Sequence, residues 1–216
     1  SSAASDVYKR QALEHKIKRG TETAYTDFAY YFGGTFENSK NLPSWEKLDG
    51  VCGIKIFMGA STGNLLSATD EEVEAVVANG NRVIAVHAED EFLMNENKKT
   101  ILKDSNDVGM HCKWRDVNSS LNATKRVVSL AKKHNRHVHV LHITTAEEMD
   151  YLRNHKDTAT VEVLPNHLTF HAPDCYEQLG TLAQQNPPIR EKHHQDALWQ
   201  AINDGTVDIV ASDHAP

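Results

Sequence analysis

The chain has 216 residues, 39% of them hydrophobic, enough for one sizeable core that is either a single domain or the larger part of a bigger one. A formal net charge of -7 argues against a nucleic-acid groove or an anionic membrane surface as partner, no apolar run approaches a transmembrane length, and the amino terminus lacks the apolar core of a signal peptide. Cys52, Cys112 and Cys175 are widely spaced with no Cys-x-x-Cys pair, so the expectation is a soluble cytoplasmic protein with reduced thiols, no disulfide framework and no thiolate zinc site.

Residues 1–11 show no apolar periodicity and read as a scar of cloning or sequence assembly, which leaves 12–216 as the folded unit. Ala12 to about Tyr25 is charged and helix-permissive, and Thr26 to Gly34 reads as an aromatic strand stopped by two glycines. Pro43 to Leu48 suggests a short helix with Ser44 as its cap. Gly53 to Gly63 is a short apolar run, rich in β-branched and aromatic residues, that empties into a glycine-bounded loop. Thr69 followed by three acids predicts a capped helix through Val77, stopped by Asn79-Gly80.

Arg82 to Val86 is a strand ending in His87-Ala88-Glu89-Asp90, and the polar stretch from Glu91 to Trp114 reads as a helix plus an excursion over the active face. An amphipathic helix from Ser119 to His134, a strand from Arg136 to Ile143, and a helix capped by Thr144 or Thr145 follow. Thr158 to Leu164 is a strand leading into Pro165-Asn166-His167, and Asn186-Pro187-Pro188-Ile189-Arg190 is a rigid loop. A helix from Asp196 to Asn203 and a strand from Val207 to Ala211 precede Ser212-Asp213-His214.

Strands alternating with helices imply parallel strands joined by crossover helices. Six strands fit either a barrel or an open doubly wound sheet, but neither a Gly-x-Gly-x-x-Gly turn nor a Gly-Lys-Ser/Thr phosphate loop is present. The expected fold class is α/β, a partial (β/α)8 barrel with about six of its eight strands.

The placement of polar residues decides for the barrel. Lys55, His87, His142 and Asp213 lie inside or immediately after the carboxyl ends of different predicted strands, which in a barrel converge on one mouth. A buried ammonium costs several kcal/mol unless paired, and desolvation moves it toward the neutral, nucleophilic amine. Such an amine can capture carbon dioxide as a carbamate, an anionic metal ligand; the ordinary alternative is a strand-edge lysine whose head reaches water. Singly, the two histidines could be internally hydrogen-bonded and Asp213 could be a helix cap. Together the four suit a borderline divalent ion such as zinc.

The motifs Gly-Ile-Lys55-Ile-Phe-Met, Val-His87-Ala-Glu-Asp, Leu-His142-Ile-Thr-Thr-Ala-Glu-Glu, Asn186-Pro-Pro-Ile-Arg and Ala-Ser-Asp213-His-Ala-Pro, in that order, resemble the cyclic amidohydrolases, most closely dihydroorotase. The resemblance covers nearly all of 12–216 and implies two divalent metal ions, zinc by expectation, bridged by a CO2-derived carbamate on Lys55. It implies that His87 and His142 ligate the second metal, and that Asp213 touches the first metal and shuttles protons. Asn186 would help to hold the pyrimidine ring, and Arg190 is carried over to no role.

The implied reaction is the reversible interconversion of dihydroorotate and N-carbamoyl-L-aspartate in pyrimidine biosynthesis, on a small-molecule substrate, in a possible homodimer or homotetramer. The family's initial His-x-His motif and its arginine have no match, so the resemblance implies the later half of an enzyme, inactive by itself and with open sheet edges.

Hydantoinase, dihydropyrimidinase and allantoinase are the alternative activities. Hydantoinase-type members usually carry a tyrosine soon after the lysine, where this chain has Gly59-Ala60-Ser61-Thr62. A metal-free structural homologue is the alternative of a different class.

Histidine is abundant, with 13 residues. His167, after a strand end, is a candidate substrate contact. His137 and His139 alternate on one face and are expected to point away from the mouth. His193 and His194 are expected in solvent, His111-Cys112 to be incidental, and Glu162 to be either a barrel-wall ion pair or a surface residue.

Overall fold

The computed structural model describes residues 10–59, 65–102 and 105–214. Six parallel strands pair in strict chain order: β1 (Tyr30–Gly33), β2 (Val51–Phe57), β3 (Ile84–His87), β4 (Val138–Val140), β5 (Ala159–Val163) and β6 (Ile209–Val210). A doubly wound sheet reverses its strand order at a switch point, and this sheet never does. The wall is therefore an arc of a (β/α) barrel, open at β1 and β6 among the described residues.

Helices α1 (Arg10–Thr23), α2 (Leu42–Trp45), α3 (Asp70–Val77), α4 (Glu91–Ile101), α5 (His111–Trp114), α6 (Val117–Lys133), α7 (Ala146–Arg153), α8 (Pro165–Thr169), α9 (Asp174–Leu179) and α10 (Lys192–Asn203) fill the connections. None is long and apolar enough to cross a membrane.

The pleat sorts each strand into two faces. Ile54 and Ile56 of β2, Ile84 and Val86 of β3, Val138 and Val140 of β4, and Val161 and Val163 of β5 share one buried cluster with Val73, Val76, Val127, Val128 and Leu152 of the helices. The alternate residues face the barrel interior, where Gly33, Lys55, Ala85, His139 and Thr160 stand side by side in register. An apolar outer face seals strands to helices, and a polar inner face is left for chemistry.

Local signals place most boundaries. Thr69 and Glu72 form a reciprocal capping box at α3, and Thr145, not Thr144, caps α7. Four expectations need correction. Asn41 occupies the N-cap of α2, and Ser44 lies inside the helix with its hydroxyl donating to the Asn41 carbonyl at 2.8 Å. The aromatic strand is confined to Tyr30–Gly33. α10 starts at Lys192 rather than Asp196, which carries His193 and His194 into its first turn. Arg10 and Gln11 belong to α1.

Candidate active site

Lys55 sits at the centre of β2 on the inner face and is 4% exposed. Its Nζ lies 4.8 Å from the centroid of the Phe57 ring. Burial lowers its pKa to about 8, and the carboxylates of Asp213 and Glu162 work against that shift. Asp213, partly exposed and with a positive φ of 47°, thus exerts its field on Lys55 and likewise on His167.

His87 is the last residue of β3, and His142 follows β4. Their rings meet edge to face, with His87 Nδ1 3.1 Å from His142 Nε2. Burial lowers the pKa of both, and for His142 the neighbouring His87 and Lys55 push further, so the pair is held neutral. On its far side His87 Nε2 lies 2.7 Å from Glu89 Oε2.

Glu89 is fully buried, and Arg115 donates to both of its oxygens, from Nε to Oε1 at 3.1 Å and from Nη2 to Oε2. Burial by itself would raise the Glu89 carboxyl, but the His87 contact and the Arg115 charge overcome it and hold the pKa at about 2. Asp90, next in the chain, caps α4 through Phe92 and Leu93.

One interior residue contradicts its expectation, and for Glu162 the first of two alternatives holds. His139 was expected to point away from the mouth, yet it is buried on the inner face, with Nδ1 2.9 Å from Thr160 Oγ1 and Nε2 3.1 Å from Glu162 Oε2. Glu162 is thereby a barrel-interior partner, and its other oxygen accepts from the His142 backbone N–H at 3.2 Å. Alternation along β4 correctly separates 139 from 142, but the strand ends at Val140 and His142 adopts φ 39°, so the chain leaves the pleat and both rings turn inward. His137 is exposed, as expected.

His167, at the centre of α8, is buried with Nε2 3.1 Å from the Pro187 carbonyl and 2.5 Å from Gln185 Nε2. Burial lowers its pKa to about 4. Asn186 stands on the exposed rim, its Oδ1 3.2 Å from His111 Nε2, above a pocket of about 240 Å³ shared with Glu91, Lys98, Trp114 and Arg115. His194 is a further correction. It is buried, and its Nδ1 accepts from the Ala146 N–H at 3.1 Å at the start of α7, with the pKa lowered to about 4 by burial and the His193 charge.

Arg190 proves structural. Its guanidinium donates to Thr144 Oγ1 at 2.9 Å, the Arg115 carbonyl at 2.7 Å and Ser120 Oγ at 2.9 Å, tying the proline loop to the segments behind the mouth.

Among the described residues no three His, Cys, Asp or Glu side chains stand close enough together to hold a metal ion by themselves. The donors nevertheless suit one. Nδ1 of His87 and Nε2 of His142, on two neutral imidazoles, lie 3.1 Å apart, roughly the separation of two nitrogens on one ion at about 2.0–2.1 Å. The lysine of the same site, its pKa lowered to about 8 by burial, is poised to become an anionic ligand, and the buried Nδ1 atoms of His142 and His167 have no hydrogen-bond partner. Residues 60–64, where the hydantoinase-type tyrosine would be sought, lie outside the described residues.

The chain is 33% identical to a dihydroorotase of Methanosarcina acetivorans over 96% of its own length and 46% of that protein. It is 28% identical to an allantoinase of Arabidopsis thaliana, over 95% of this chain and 44% of that one. Among solved structures, the L-hydantoinase (dihydropyrimidinase) of Arthrobacter aurescens superposes with a TM-score of 0.88 over 99% of this chain and 52% of that one, at 24% identity, a likeness of fold. No family model matches. The chain spans about half the length of the curated relatives it matches.

Proposed function

We propose, from the premise that the chain belongs to the cyclic amidohydrolases, that it forms the larger part of a dihydroorotase barrel, which interconverts N-carbamoyl-L-aspartate and dihydroorotate. The carrying observation is the buried Lys55 beside the facing pair His87 and His142, in a chain whose relatives at 33% identity are dihydroorotases.

Lys55, His87, His142 and Asp213 would hold two divalent ions, zinc by the chemistry of the donors. When bound, such ions polarise a carbonyl oxygen and lower the pKa of water to about 7. The protein's own part begins at Lys55. With a pKa of about 8, roughly a tenth of the amine is neutral at pH 7, against well under a thousandth for an ordinary lysine. The neutral nitrogen can bond to the carbon of CO2 and lose its proton, leaving a carbamate with two ligand oxygens.

His87 and His142, kept neutral by burial, present lone pairs rather than charges. The Asp213 carboxylate is assigned the proton that passes to or from the ring nitrogen as the amide opens or closes. Asn186, on the exposed rim beside His111, and His167, held by the Pro187 carbonyl, are assigned to the substrate ring.

Residues 12–216 would then be an incomplete catalytic domain, acting in the cytoplasm within a homodimer or homotetramer. Similarity to allantoinases at 28% identity supports a related ring-opener as the second reading. The test is ring closure of N-carbamoyl-L-aspartate by the full-length parent protein purified with zinc and bicarbonate. Rapid closure is expected. No closure by a protein that holds two metals would transfer the assignment to hydantoin or allantoin rings, and absence of metal would favour a non-catalytic homologue.

A further inference from the structure

The polar chain behind His87 runs in one direction. Arg115 carries only donors and engages both oxygens of Glu89, so Glu89 can only accept. The contact of 2.7 Å between Glu89 Oε2 and His87 Nε2 therefore needs the proton on Nε2. A neutral imidazole carries one proton, which leaves Nδ1 of His87 as a bare lone pair. That lone pair faces His142 Nε2 at 3.1 Å, so His142 Nε2 must donate, and its own Nδ1 becomes the lone pair. His142 Nδ1 is indeed a buried atom with no hydrogen-bond partner. An unmatched lone pair there is less costly than an unmatched N–H.

We propose that Glu89, clamped by Arg115, is a positioning residue that fixes His87 in its Nε2–H tautomer and directs its Nδ1 lone pair into the mouth, and that His142 is the partner that changes tautomer. His87 would offer a cation its Nδ1 lone pair as it stands, whereas His142 would offer Nε2 only after the proton there is released and one is taken up at Nδ1, with the net proton count unchanged.

Several features make Glu89 suited to this role. It is held at both ends, by the His87 ring and by the forked Arg115 guanidinium, whose face lies 4.8 Å from the Trp114 ring. Arg190 in turn grips the Arg115 carbonyl. The segment after β2 also packs closely on the Glu89 backbone, because a Cβ on Gly59 would clash with the Glu89 carbonyl oxygen. Carboxylate partners of this kind set ligand orientation, and their loss commonly lowers metal affinity 10–100-fold.

The metal-binding half of the proposal rests on the two-metal reading above, whereas the tautomer half does not. The test is nitrogen NMR of the 216-residue chain labelled at histidine ring nitrogens, metal-free and then with zinc, with His87→Gln and His142→Gln spectra for assignment. Nε2–H on both residues without metal, and a shift of His142 alone to Nδ1–H with zinc, is expected. Nδ1–H on His87 in the metal-free chain overturns the proposal.

The variants Glu89→Gln and, in case that one fails to fold, Glu89→Leu combined with Arg115→Leu, are titrated with zinc against a chelating dye. A 10–100-fold loss of affinity with mixed His87 tautomers is expected, and wild-type affinity with an unchanged tautomer in a folded variant overturns it. A wild-type chain that shows His87 as Nε2–H but binds no zinc supports the tautomer assignment and counts against the two-metal reading.

Discussion

The two faces of β2 teach the most about this molecule. Ile54 and Ile56 point outward into the helices and are wholly buried among valines and leucines, whereas Lys55, between them, points inward and is almost as buried among ionisable groups. One face gains free energy by leaving water, about 1.5–3 kcal/mol for each large aliphatic side chain. The other loses free energy by desolvating an amine and two imidazoles, and its hydrogen bonds to Glu89 and Glu162 recover only part of that. The outer face supports the inner one, so stability and chemistry are separable by mutation.

The sharpest separation is Lys55→Met. Metal uptake that depends on bicarbonate, and ring closure in the full-length parent, should be abolished, while stability to denaturant in the absence of metal should be equal to or above wild type because a desolvated amine has been removed. A marked loss of stability on denaturant unfolding would break the comparison. The converse is Ile56→Ala, which should cost about 2–5 kcal/mol on the same curve yet leave zinc affinity per folded molecule unchanged.

A smaller effect distinguishes buried histidines outside the mouth. The folded pKa of His194, about 4, lies below its ordinary 6.5, so the unfolded chain binds the proton first as pH falls. Its stabilising contribution is complete above pH 6.5 and is lost down to about pH 4. His194→Gln can keep an acceptor for the Ala146 N–H, and should flatten stability against pH in that window by up to ~1.4 kcal/mol per pH unit. An unchanged slope would show that His194 does not titrate with folding. The smallest effect is expected on the outside of the barrel, where Thr69→Ala removes half of the α3 capping box and should cost about 1 kcal/mol in thermal or chemical unfolding, with no change at the mouth.

Local rules place the elements that a single residue type signals. Thr69 and the acids after it predicted α3, the Val-rich run predicted β3, and the apolar run around Lys55 predicted β2. Local rules failed at His139 and His194, each buried by partners distant in sequence, and gave Arg190 no role, although it too is buried by distant partners. Periodicity tells which residues share a face, but not which face is enclosed when both are buried, and it gives no warning of the positive φ at His142 that returns the ring to the interior. Glu89 could have drawn notice, because a second acid directly before the cap Asp90 is one more than capping α4 requires.

What the sequence by itself determined is therefore the succession of strands and crossover helices, the strand ends where polar residues gather, and the motifs Lys55, His87, His142 and Asp213, because these depend on local patterning and on order along the chain. Only the tertiary structure decided that His139 and Glu162 lie inside the barrel, that Glu89 is committed to His87 and Arg115, and that Arg190 is a clamp. Most of those assignments depend on distances between segments 20 to 75 residues apart, which parallel strand pairing and the packing of the connections set together and no local pattern encodes.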